Sequence, residues 1–283
     1  HDQSSAASDV YKRQPLTPSI GAEVAGVDLA RSTQSQIDLI RSAFSQHKVL
    51  VFRNQSISAE QHKAFARNFG PLHIHPRYRH LGAEGDPELF MINTHAESKY
   101  TNGEAWHSDV SCDAVPPFAS LLYVEQPPPQ GGGDTLFANM CEAYEGLSSS
   151  VKDWLIGMRA EHDGRKDLAA YNVRLTPEQS YPRAVHPVVT RHPETAKPIL
   201  FVNGSFTSKI IGLGRAESDA ILAMLCTHIE NNPRWQCRVR WSPQTLVMWD
   251  NRCTQHRAVW DYYPHSRYAR RVTVRCSQAP SAY

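Results

Sequence analysis

Apolar residues recur at helical spacing in four segments of the chain. In the first segment, Ile37, Ile40, Ala43 and Phe44 fall on one face of a helix. Ser58 and Gln61 have the spacing of a capping box, which predicts where the second helix begins. The predicted helices span residues 36–47, 58–69, 148–161 and 215–230.

Short runs rich in β-branched and aromatic residues occupy much of the remaining sequence. They do not alternate regularly with helices, which argues against a doubly wound parallel sheet. The short connection at residues 242–244 (Ser-Pro-Gln) predicts a hairpin, and therefore antiparallel strands on either side of it. The pattern predicts an antiparallel double-sheet barrel with flanking helices. The predicted strands are residues 49–52, 89–93, 119–125, 134–139, 199–203, 237–241, 245–249 and 270–276.

The 283 residues suffice for one large domain with a buried core. Residues 1–14 show no periodicity, and we interpret them as a disordered or non-native leader. Residues 15–283 are predicted to form a single domain. The polar stretches 77–88 and 162–197 are long enough to form lids over a site.

Composition narrows the possible partners and compartment. The formal net charge is +2 and the basic residues are scattered, which disfavours nucleic acid as a partner. No apolar run approaches the ~18 residues that a membrane span requires. The six cysteines contain no C-x-x-C pair, and no secretory apolar segment accompanies them. We therefore expect reduced cysteines and a cytoplasmic protein.

Two histidines and an aspartate form a candidate metal site. His107 and Asp109 are separated by one residue, so on an extended segment their side chains share one face. His256 follows a strand that is predicted to be buried. Imidazole and carboxylate together suit a borderline divalent metal. Three further His-x-Glu pairs match the same pattern, and any such pair can be a surface hydrogen bond: His95/Glu97, His192/Glu194 and His228/Glu230.

Two arginines follow the last of these histidines. Arg267 and Arg271 are four residues apart, so on a strand both face the same side, with Ala269 between them. Two guanidinium groups in one pocket are costly unless anions bind there. A solvated basic edge strand is the alternative interpretation.

Several motifs in the same order resemble the taurine/2-oxoglutarate dioxygenase family, which also contains 2,4-dichlorophenoxyacetate dioxygenases. The resemblance extends from about Pro15 to Cys276. The stretches that carry it are GAEVAGVDL (21–29), FGPLHIHPRY (69–78), WHSDVSCDAVPP (106–117), GGGDTLFANMCEAYEGLS (131–148), HPVVTRHPETAKPILFVNGSFTSKI (186–210) and MWDNRCTQHRAVWDYYPHSRYARR (248–271).

The resemblance implies a mainly β fold with flanking helices and a double-stranded β-helix (jelly-roll) core. It implies that His107, Asp109 and His256 bind Fe(II), with no catalytic residue beyond these ligands. Arg267 and Thr135 match the residues that hold 2-oxoglutarate, although an extra glycine before Thr135 shifts the local spacing. The residues that match substrate-binding positions are His75, Tyr78, Phe206 and Arg271.

The implied reaction is hydroxylation of a small anionic substrate, with 2-oxoglutarate and O2 as cosubstrates. A sulfonate such as taurine, with release of sulfite, is the first expectation. An alkyl sulfate, or an aryloxy or other carboxylate, is the alternative. Gly103 stands where the taurine enzymes carry an asparagine, which weakens the expectation of taurine itself because hydrogen-bonding sites discriminate sharply.

Two hypotheses from other classes stay open. His, Asp and His with a water can also form a catalytic zinc site, as in a hydrolase. A jelly-roll binding protein without catalysis is the second, although intact His107, Asp109, His256 and Arg267 argue against it. Demethylation of nucleic acid is disfavoured by the near-neutral charge. The resemblance also implies a homo-oligomer.

Overall fold

The structure is a computed structural model that describes residues 12–82 and 85–283. Its helices are α1 Gln34–His47, α2 Ala59–Arg67, α3 Pro76–Leu81, α4 Met140–Glu145, α5 Ser149–Leu155, α6 Gly164–Ala170 and α7 Arg215–Glu230. Its strands are β1 Lys12–Pro15, β2 Ala22–Ala25, β3 Val49–Phe52, β4 Phe90–Met91, β5 Ala119–Gln126, β6 Thr135–Asn139, β7 Arg159–Asp163, β8 Arg183–Pro187, β9 Val189–Arg191, β10 Pro198–Leu200, β11 Thr207–Ile210, β12 Gln236–Val239, β13 Thr245–Asp250, β14 Thr254–Ala258 and β15 Tyr268–Val274.

The largest sheet has seven strands in the order β1-β2-β3-β13-β5-β15-β4. Its pairs are antiparallel except β2–β3. A second sheet has the order β12-β6-β14, and two smaller sheets are β11-β7-β8 and β10-β9. The chain is therefore mostly sheet with flanking helices, as the sequence predicted.

The large sheet is buried on both faces, and its strands alternate accordingly. In β3, Leu50 and Phe52 join a cluster with residues of α1 and α2. Val49 and Val51 point the other way and pack with Phe137 of the three-stranded sheet. Because side chains alternate along a strand, each residue of β3 faces one of two hydrophobic cores. The core that contains Val49, Val51 and Phe137 separates the two sheets and lies beneath the site described below.

Local sequence signals locate the helix ends well. The predicted capping box is present at α2, where Gln61 N donates to the Ser58 hydroxyl and the Gln61 side chain accepts from Ser58 N. The helix at 215–230 is also confirmed. The helix predicted at 148–161 is wrong beyond Leu155, because the following residues turn into β7.

The hairpin predicted at residues 242–244 is wrong. β12 pairs with β6 in the small sheet, whereas β13 pairs with β3 and β5 in the large sheet. The short connection therefore crosses from one sheet to the other, and Trp241 within it is buried between them. Turn residues alone do not determine whether two flanking strands pair with each other or with different neighbours.

Two other segment predictions change with the structure. The stretch 162–197 contains α6, β8 and β9, so it is not one long loop. Residues 1–11 of the predicted leader lie outside the described residues. Lys12–Pro15 forms β1 and pairs with β2, so residues 12–14 are ordered, and the non-native leader stays a prediction. No helix in the described part of the chain is both long and apolar enough to span a membrane.

We expect Ser58→Ala to lower the free energy of unfolding by about 1 kcal/mol, because the Gln61 amide loses its capping acceptor. Ser148→Ala is the matched control, since Ser148 is also an N-cap residue but forms no side-chain cap hydrogen bond. Urea denaturation of both variants measures the difference. Equal stability losses in the two variants would contradict the role given to the Ser58 cap.

Candidate active site

A single antiparallel bridge brings the candidate metal ligands together. His107 N donates to His256 O at 3.0 Å, and His256 N donates to His107 O at 2.8 Å. Asp109 lies in the turn that follows His107. Its Oδ1 is 3.8 Å from His107 Nε2 and 4.0 Å from His256 Nε2. The three side chains predicted from the sequence are therefore buried together and point at one another.

Both imidazoles are placed to act as neutral ligands. The Nδ1–H of His107 donates a hydrogen bond to the Ala105 carbonyl oxygen at 2.8 Å, which leaves the Nε2 lone pair free for a metal. Trp249 packs against His256 with ring centroids 4.7 Å apart. Burial lowers the pKa of His256 well below its ordinary value, and the neighbouring His107 lowers it further. A neutral imidazole is the form that binds a metal.

Asp109 is fixed by a chain of hydrogen bonds. The Ser120 hydroxyl donates to Asp109 Oδ2 at 2.7 Å, and Asn251 Nδ2 donates to Ser120 Oγ at 2.9 Å. Trp249 Nε1 in turn donates to Asn251 Oδ1 at 2.9 Å. Ser120 thus holds one carboxylate oxygen of Asp109 and leaves the other facing the histidines.

Asp109 is also a fixed negative charge. Burial opposes its ionisation, but the positive charge of Arg271 and the hydrogen bond from Ser120 hold the pKa of Asp109 below its ordinary value. The Nη1 of Arg271 donates to Asp109 Oδ1 at 2.5 Å. An ionised carboxylate with two imidazoles on one side is the donor set that suits a non-haem ferrous ion and leaves open positions for other ligands.

A second group of possible ligand atoms is less suited to a metal. His192, Asp250 and Cys253 also lie within 4.8 Å of one another. However, Arg252 donates from Nε to Asp250 Oδ1 at 2.9 Å and from Nη2 to Oδ2 at 2.6 Å. Arg252 therefore occupies both carboxylate oxygens of Asp250, whereas Arg271 donates to only one oxygen of Asp109, and we interpret the Asp250 cluster as a structural ion pair.

The other two predicted His-x-Glu pairs have no metal centre in the described residues. His95 is exposed, and its Nδ1 accepts a hydrogen bond from the backbone N–H of Glu97. The Nε2 of His228 lies 2.8 Å from the Ala143 carbonyl oxygen. Both histidines therefore form structural hydrogen bonds with the backbone, and neither belongs to a candidate metal site in the described residues.

A cavity beside the metal ligands contains Arg267, Thr135 and Arg271. Arg267 is almost fully buried, yet its guanidinium forms no hydrogen bond or ion pair with any described residue. Its nearest aromatic neighbour is Trp241, whose ring centroid is 5.5 Å away. Trp241 Nε1 donates to Thr135 Oγ1 at 3.1 Å, which fixes that hydroxyl beside the arginine. A buried cation without a counter-ion is a binding site for an anion.

The predicted substrate residues are only partly brought together. His75, Phe206 and Arg271 line the cavity. Tyr78 does not: it packs on Phe90, with ring centroids 5.2 Å apart, and lines an adjoining surface pocket. Arg77 lines the cavity in its place. The short helix α3 turns the Tyr78 side chain away, which a sequence position cannot reveal.

Two of the cavity side chains, His75 and Arg271, pack against the same aromatic ring. Phe90 lies 4.4 Å from the His75 ring and 5.0 Å from the Arg271 guanidinium carbon. Burial lowers the pKa of His75 well below its ordinary value, and Arg271 adds to this shift. His75 is therefore a neutral hydrogen-bonding group rather than a second cation.

The basic segment around Tyr78 is not a free anion-binding surface. Arg79 Nη2 donates to both carboxylate oxygens of Asp113, at 2.8 and 2.6 Å. His73 Nε2 lies 3.0 Å from the same carboxylate. These contacts tie α3 to the loop that carries Asp109, so they position the site rather than bind ligands.

Several cavity residues carry no signal in the sequence. Asp167 and Tyr171 belong to the stretch predicted as a lid, and nothing in their spacing distinguishes them from solvated polar residues.

Asn102 also lines the cavity, so an amide is present one residue before Gly103. At Gly103, with φ +85°, a Cβ atom would lie 2.8 Å from His107 Cε1. A side chain at this position would therefore be strained and would displace the His107 ring.

Two aromatic side chains form part of the cavity wall. Phe206 lies 6.5 Å from the His107 ring, and Trp249 lines the cavity as well as the core. Trp106, the residue before His107, packs in the hydrophobic core instead.

Comparison with known proteins agrees with this geometry. Residues 12–275 match the family model described as taurine catabolism dioxygenase TauD, TfdA family. The alpha-ketoglutarate-dependent sulfonate dioxygenase of Saccharomyces cerevisiae is 33% identical over 93% of this chain and 66% of its own length. The alkylsulfatase of Acinetobacter baylyi is 34% identical over 92% of this chain and 83% of its own length. The alpha-ketoglutarate-dependent 2,4-dichlorophenoxyacetate dioxygenase of Cupriavidus pinatubonensis is 33% identical over 86% and 90%.

Solved structures give the same result for the fold. A taurine dioxygenase from Burkholderia xenovorans superposes with a TM-score of 0.81 at 33% identity, covering 96% of this chain and 93% of that one. The protein AAD-2, solved in complex with Mn(II) and N-oxalylglycine, has a TM-score of 0.78 at 28% identity, with 95% and 98% covered. The chain therefore belongs to the TauD/TfdA family and is an Fe(II)- and 2-oxoglutarate-dependent dioxygenase that uses O2.

Proposed function

We propose that His107, Asp109 and His256 bind Fe(II) and that the enzyme hydroxylates a small sulfonate, such as taurine, with release of sulfite. The observation that carries this proposal is the convergence of the three ligand atoms beside a buried arginine that has no counter-ion. A zinc hydrolase would use the same ligands but would have no need of a buried guanidinium for a dicarboxylate.

Arg267 and Thr135 are proposed to hold the distal carboxylate of 2-oxoglutarate. The guanidinium is desolvated, so a carboxylate that reaches it recovers hydrogen bonds that no protein group supplies. Trp241 prevents the arginine from turning away and orients the threonine hydroxyl. A shorter keto acid bound at the metal would leave this cation unpaired, which gives selectivity for a dicarboxylate.

Arg271 is proposed to bind the anionic group of the primary substrate, with His75, Tyr78 and Phe206 around it. Its contact with Asp109 places the substrate anion next to the metal centre. The support is direct for His75 and Phe206, which line the cavity, and weaker for Tyr78, which contacts it only through Phe90. Arg77 and Asn102 supply polar groups at the same end.

When Fe(II), 2-oxoglutarate and O2 are bound, they supply the oxidation: 2-oxoglutarate becomes succinate and CO2, and one oxygen atom enters the substrate. The side chains of the protein position the substrate. Arg271 directs the carbon that bears the anion toward the metal, and Phe206 and Trp249 exclude water from that region. Hydroxylation at a carbon bearing a sulfonate gives an unstable adduct that separates into an aldehyde and sulfite.

An alkyl sulfate or an aryloxy or other carboxylate is the second candidate substrate class. It is favoured by the relatives named alkylsulfatase and 2,4-dichlorophenoxyacetate dioxygenase, which are as similar to this chain as the sulfonate enzyme. A guanidinium binds all three anions. A panel of sulfonates, sulfates and carboxylates, scored by succinate formation, distinguishes them.

We further propose a double-stranded β-helix core, in which the large sheet and the sheet β12-β6-β14 face each other across Phe137 and Trp249. A homo-oligomer in the cytoplasm is our proposal for the assembly and compartment. The six cysteines are all free, which fits a reducing compartment.

His107→Ala or His256→Ala should abolish 2-oxoglutarate-dependent turnover, because two ligands do not retain the metal. Anaerobic titration with Fe(II) and 2-oxoglutarate should then lose the visible charge-transfer band that the wild type shows. His95→Ala is the control, since His95 belongs to the same sequence pattern but is exposed and does not line the cavity. A band of full intensity in His256→Ala is the result that contradicts the assignment.

Arg267→Ala should raise the 2-oxoglutarate concentration needed for half-maximal rate by about 100-fold or more, because it removes charge-assisted hydrogen bonds worth roughly 1.5–3 kcal/mol each. Arg271→Ala should instead raise the KM for the primary substrate. Steady-state kinetics with each ligand varied in turn measures both. The two arginines have been exchanged in our assignment if the effects appear reversed.

Ser120→Ala should weaken metal affinity by about 10- to 100-fold, because Asp109 loses the donor that orients its carboxylate. Ser108→Ala is the matched control: its hydroxyl donates to the Thr254 carbonyl oxygen and contacts no ligand side chain. Anaerobic Fe(II) titrations of both proteins provide the comparison. Unchanged affinity in Ser120→Ala would mean that Asp109 is oriented by its other contacts.

A further inference from the structure

The glycine turn at residues 131–133 packs against the arginine proposed to hold 2-oxoglutarate. All three glycines have φ values between +67° and +89°, a region that favours glycine. A Cβ atom at Gly131 would meet nothing within 4 Å. A Cβ atom at Gly133 would lie 3.0 Å from Tyr262 Cε1 and 3.4 Å from Arg267 Cδ. The Tyr262 ring and the stem of Arg267 therefore pack against the same backbone position because it carries no side chain.

Tyr262 is buried, and its hydroxyl group connects it to the strand pairing of Arg267. Tyr262 Oη lies 2.9 Å from Thr94 Oγ1, so the two hydroxyls share a hydrogen bond. Thr94 and Arg267 form a backbone bridge, in which Thr94 N donates to Arg267 O at 3.0 Å and Arg267 N donates to Thr94 O at 3.1 Å. Tyr262 is therefore fastened to the residue that pairs with Arg267.

The neighbouring Asp261 joins the Tyr262 segment to the glycine turn. Gly133 N donates to Asp261 Oδ1 at 2.8 Å. A Cβ atom at Gly132 would lie 2.7 Å from the same carboxylate oxygen, so this approach also requires a glycine. These contacts hold the Tyr262 ring beside Gly133 and limit its movement away from Arg267.

Packing, rather than hydrogen bonding, restrains the end of the Arg267 side chain. Its Nε atom has no hydrogen-bond partner among the described residues. The Trp241 ring centroid lies 5.5 Å from Arg267 Cζ. Burial lowers the pKa of Arg267, and its electrostatic interaction with Tyr262 opposes that shift. Tyr262 therefore both packs near the stem of Arg267 and favours its charged form.

We propose that Tyr262 is a positioning residue for 2-oxoglutarate, because its packing on Gly133 and its hydrogen bond with Thr94 hold Arg267 where the distal carboxylate arrives. This inference rests on the proposed role of Arg267 and adds a residue that does not line the cavity. A charge-assisted pair depends on geometry, so a small displacement of the guanidinium weakens the distal contact. The contacts at the metal end are unaffected by such a displacement.

Two metal chelators that differ in one carboxylate isolate the distal contact. N-oxalylglycine and oxamate both bind a metal through an oxalyl group, but only N-oxalylglycine carries a distal carboxylate. Isothermal titration calorimetry measures the affinity of each for the enzyme loaded with Mn(II). Wild type should bind N-oxalylglycine about 100-fold or more tightly than oxamate, and Arg267→Ala should remove most of that ratio.

Variants of the two hydroxyls test the hydrogen bond. Tyr262→Phe should weaken N-oxalylglycine binding by about fivefold or more and leave oxamate binding unchanged. Thr94→Val should have the same effect, and the double variant should be no weaker than either single variant, because all three lose one shared bond. Thr94→Ser retains a hydroxyl and should keep the wild-type affinity. Tyr263→Phe is the matched control, since Tyr263 is 61% exposed and lies outside the cavity lining.

Variants of two glycines test the packing contact. Gly133→Ala should weaken N-oxalylglycine binding by about tenfold or more, because the new methyl group presses on the Tyr262 ring and the Arg267 stem. Gly131→Ala has a similar backbone strain, with φ +82°, but its methyl group meets no neighbouring atom. It should lower stability and leave both affinities unchanged. Thermal unfolding confirms that each variant is folded at the temperature of the titration.

Steady-state kinetics gives a second readout. Tyr262→Phe should raise the KM for 2-oxoglutarate and leave kcat and the KM for the primary substrate near their wild-type values. A general loosening of the site would instead lower kcat and weaken both chelators.

The outcomes separate this inference from the proposed function. If Tyr262→Phe and Thr94→Val keep the wild-type ratio of the two affinities, or weaken both chelators equally, the positioning role of Tyr262 is overturned. If wild type shows no preference for N-oxalylglycine, or if Arg267→Ala keeps that preference, the proposed role of Arg267 fails and the role of Tyr262 fails with it.

Discussion

The backbone bridge between His107 and His256 is the contact on which the site depends. These two residues are 149 positions apart along the printed sequence. The bridge fixes the spacing of their Cα atoms independently of any bound metal, so the imidazoles approach each other before a ligand arrives. Trp249 and Ser120 then restrict the remaining freedom of His256 and Asp109. Strand pairing rather than a flexible loop therefore sets the positions of the two histidines proposed to bind the metal.

The cavity that adjoins this bridge contains buried positive charge. Arg267 and Arg271 both line the cavity and are buried, and the Nε atom of each has no hydrogen-bond partner among the described residues. Buried charge of this kind lowers stability, since desolvation is recovered only when an anion binds. The fold tolerates it because two hydrophobic cores surround the large sheet. Binding of ligands thus completes interactions that folding leaves incomplete.

The sequence predicted the centre of the site better than its rim. His256 and Arg271 lie in strands, Arg267 directly precedes β15, and His107 is bridged to β14, so strand pairing determines which way these side chains point. Asp109 follows His107 in the adjoining turn. Tyr78 and Asp167 lie on short helices over the cavity, and their direction depends on packing between segments distant in sequence. The false hairpin at residues 242–244 has the same cause. Local signals specify a turn, but they do not specify which strands it joins.

The close approach of Gly103 to His107 couples substrate preference and metal binding, two properties that enzyme engineers usually vary separately. Any side chain at position 103 would press on the imidazole of His107, a proposed metal ligand, so selection for a new substrate at this position would also be selection on iron retention. Libraries that change the loop should therefore keep this glycine and vary Asn102, which also lines the cavity. Substrate range can then evolve while the metal centre stays constant.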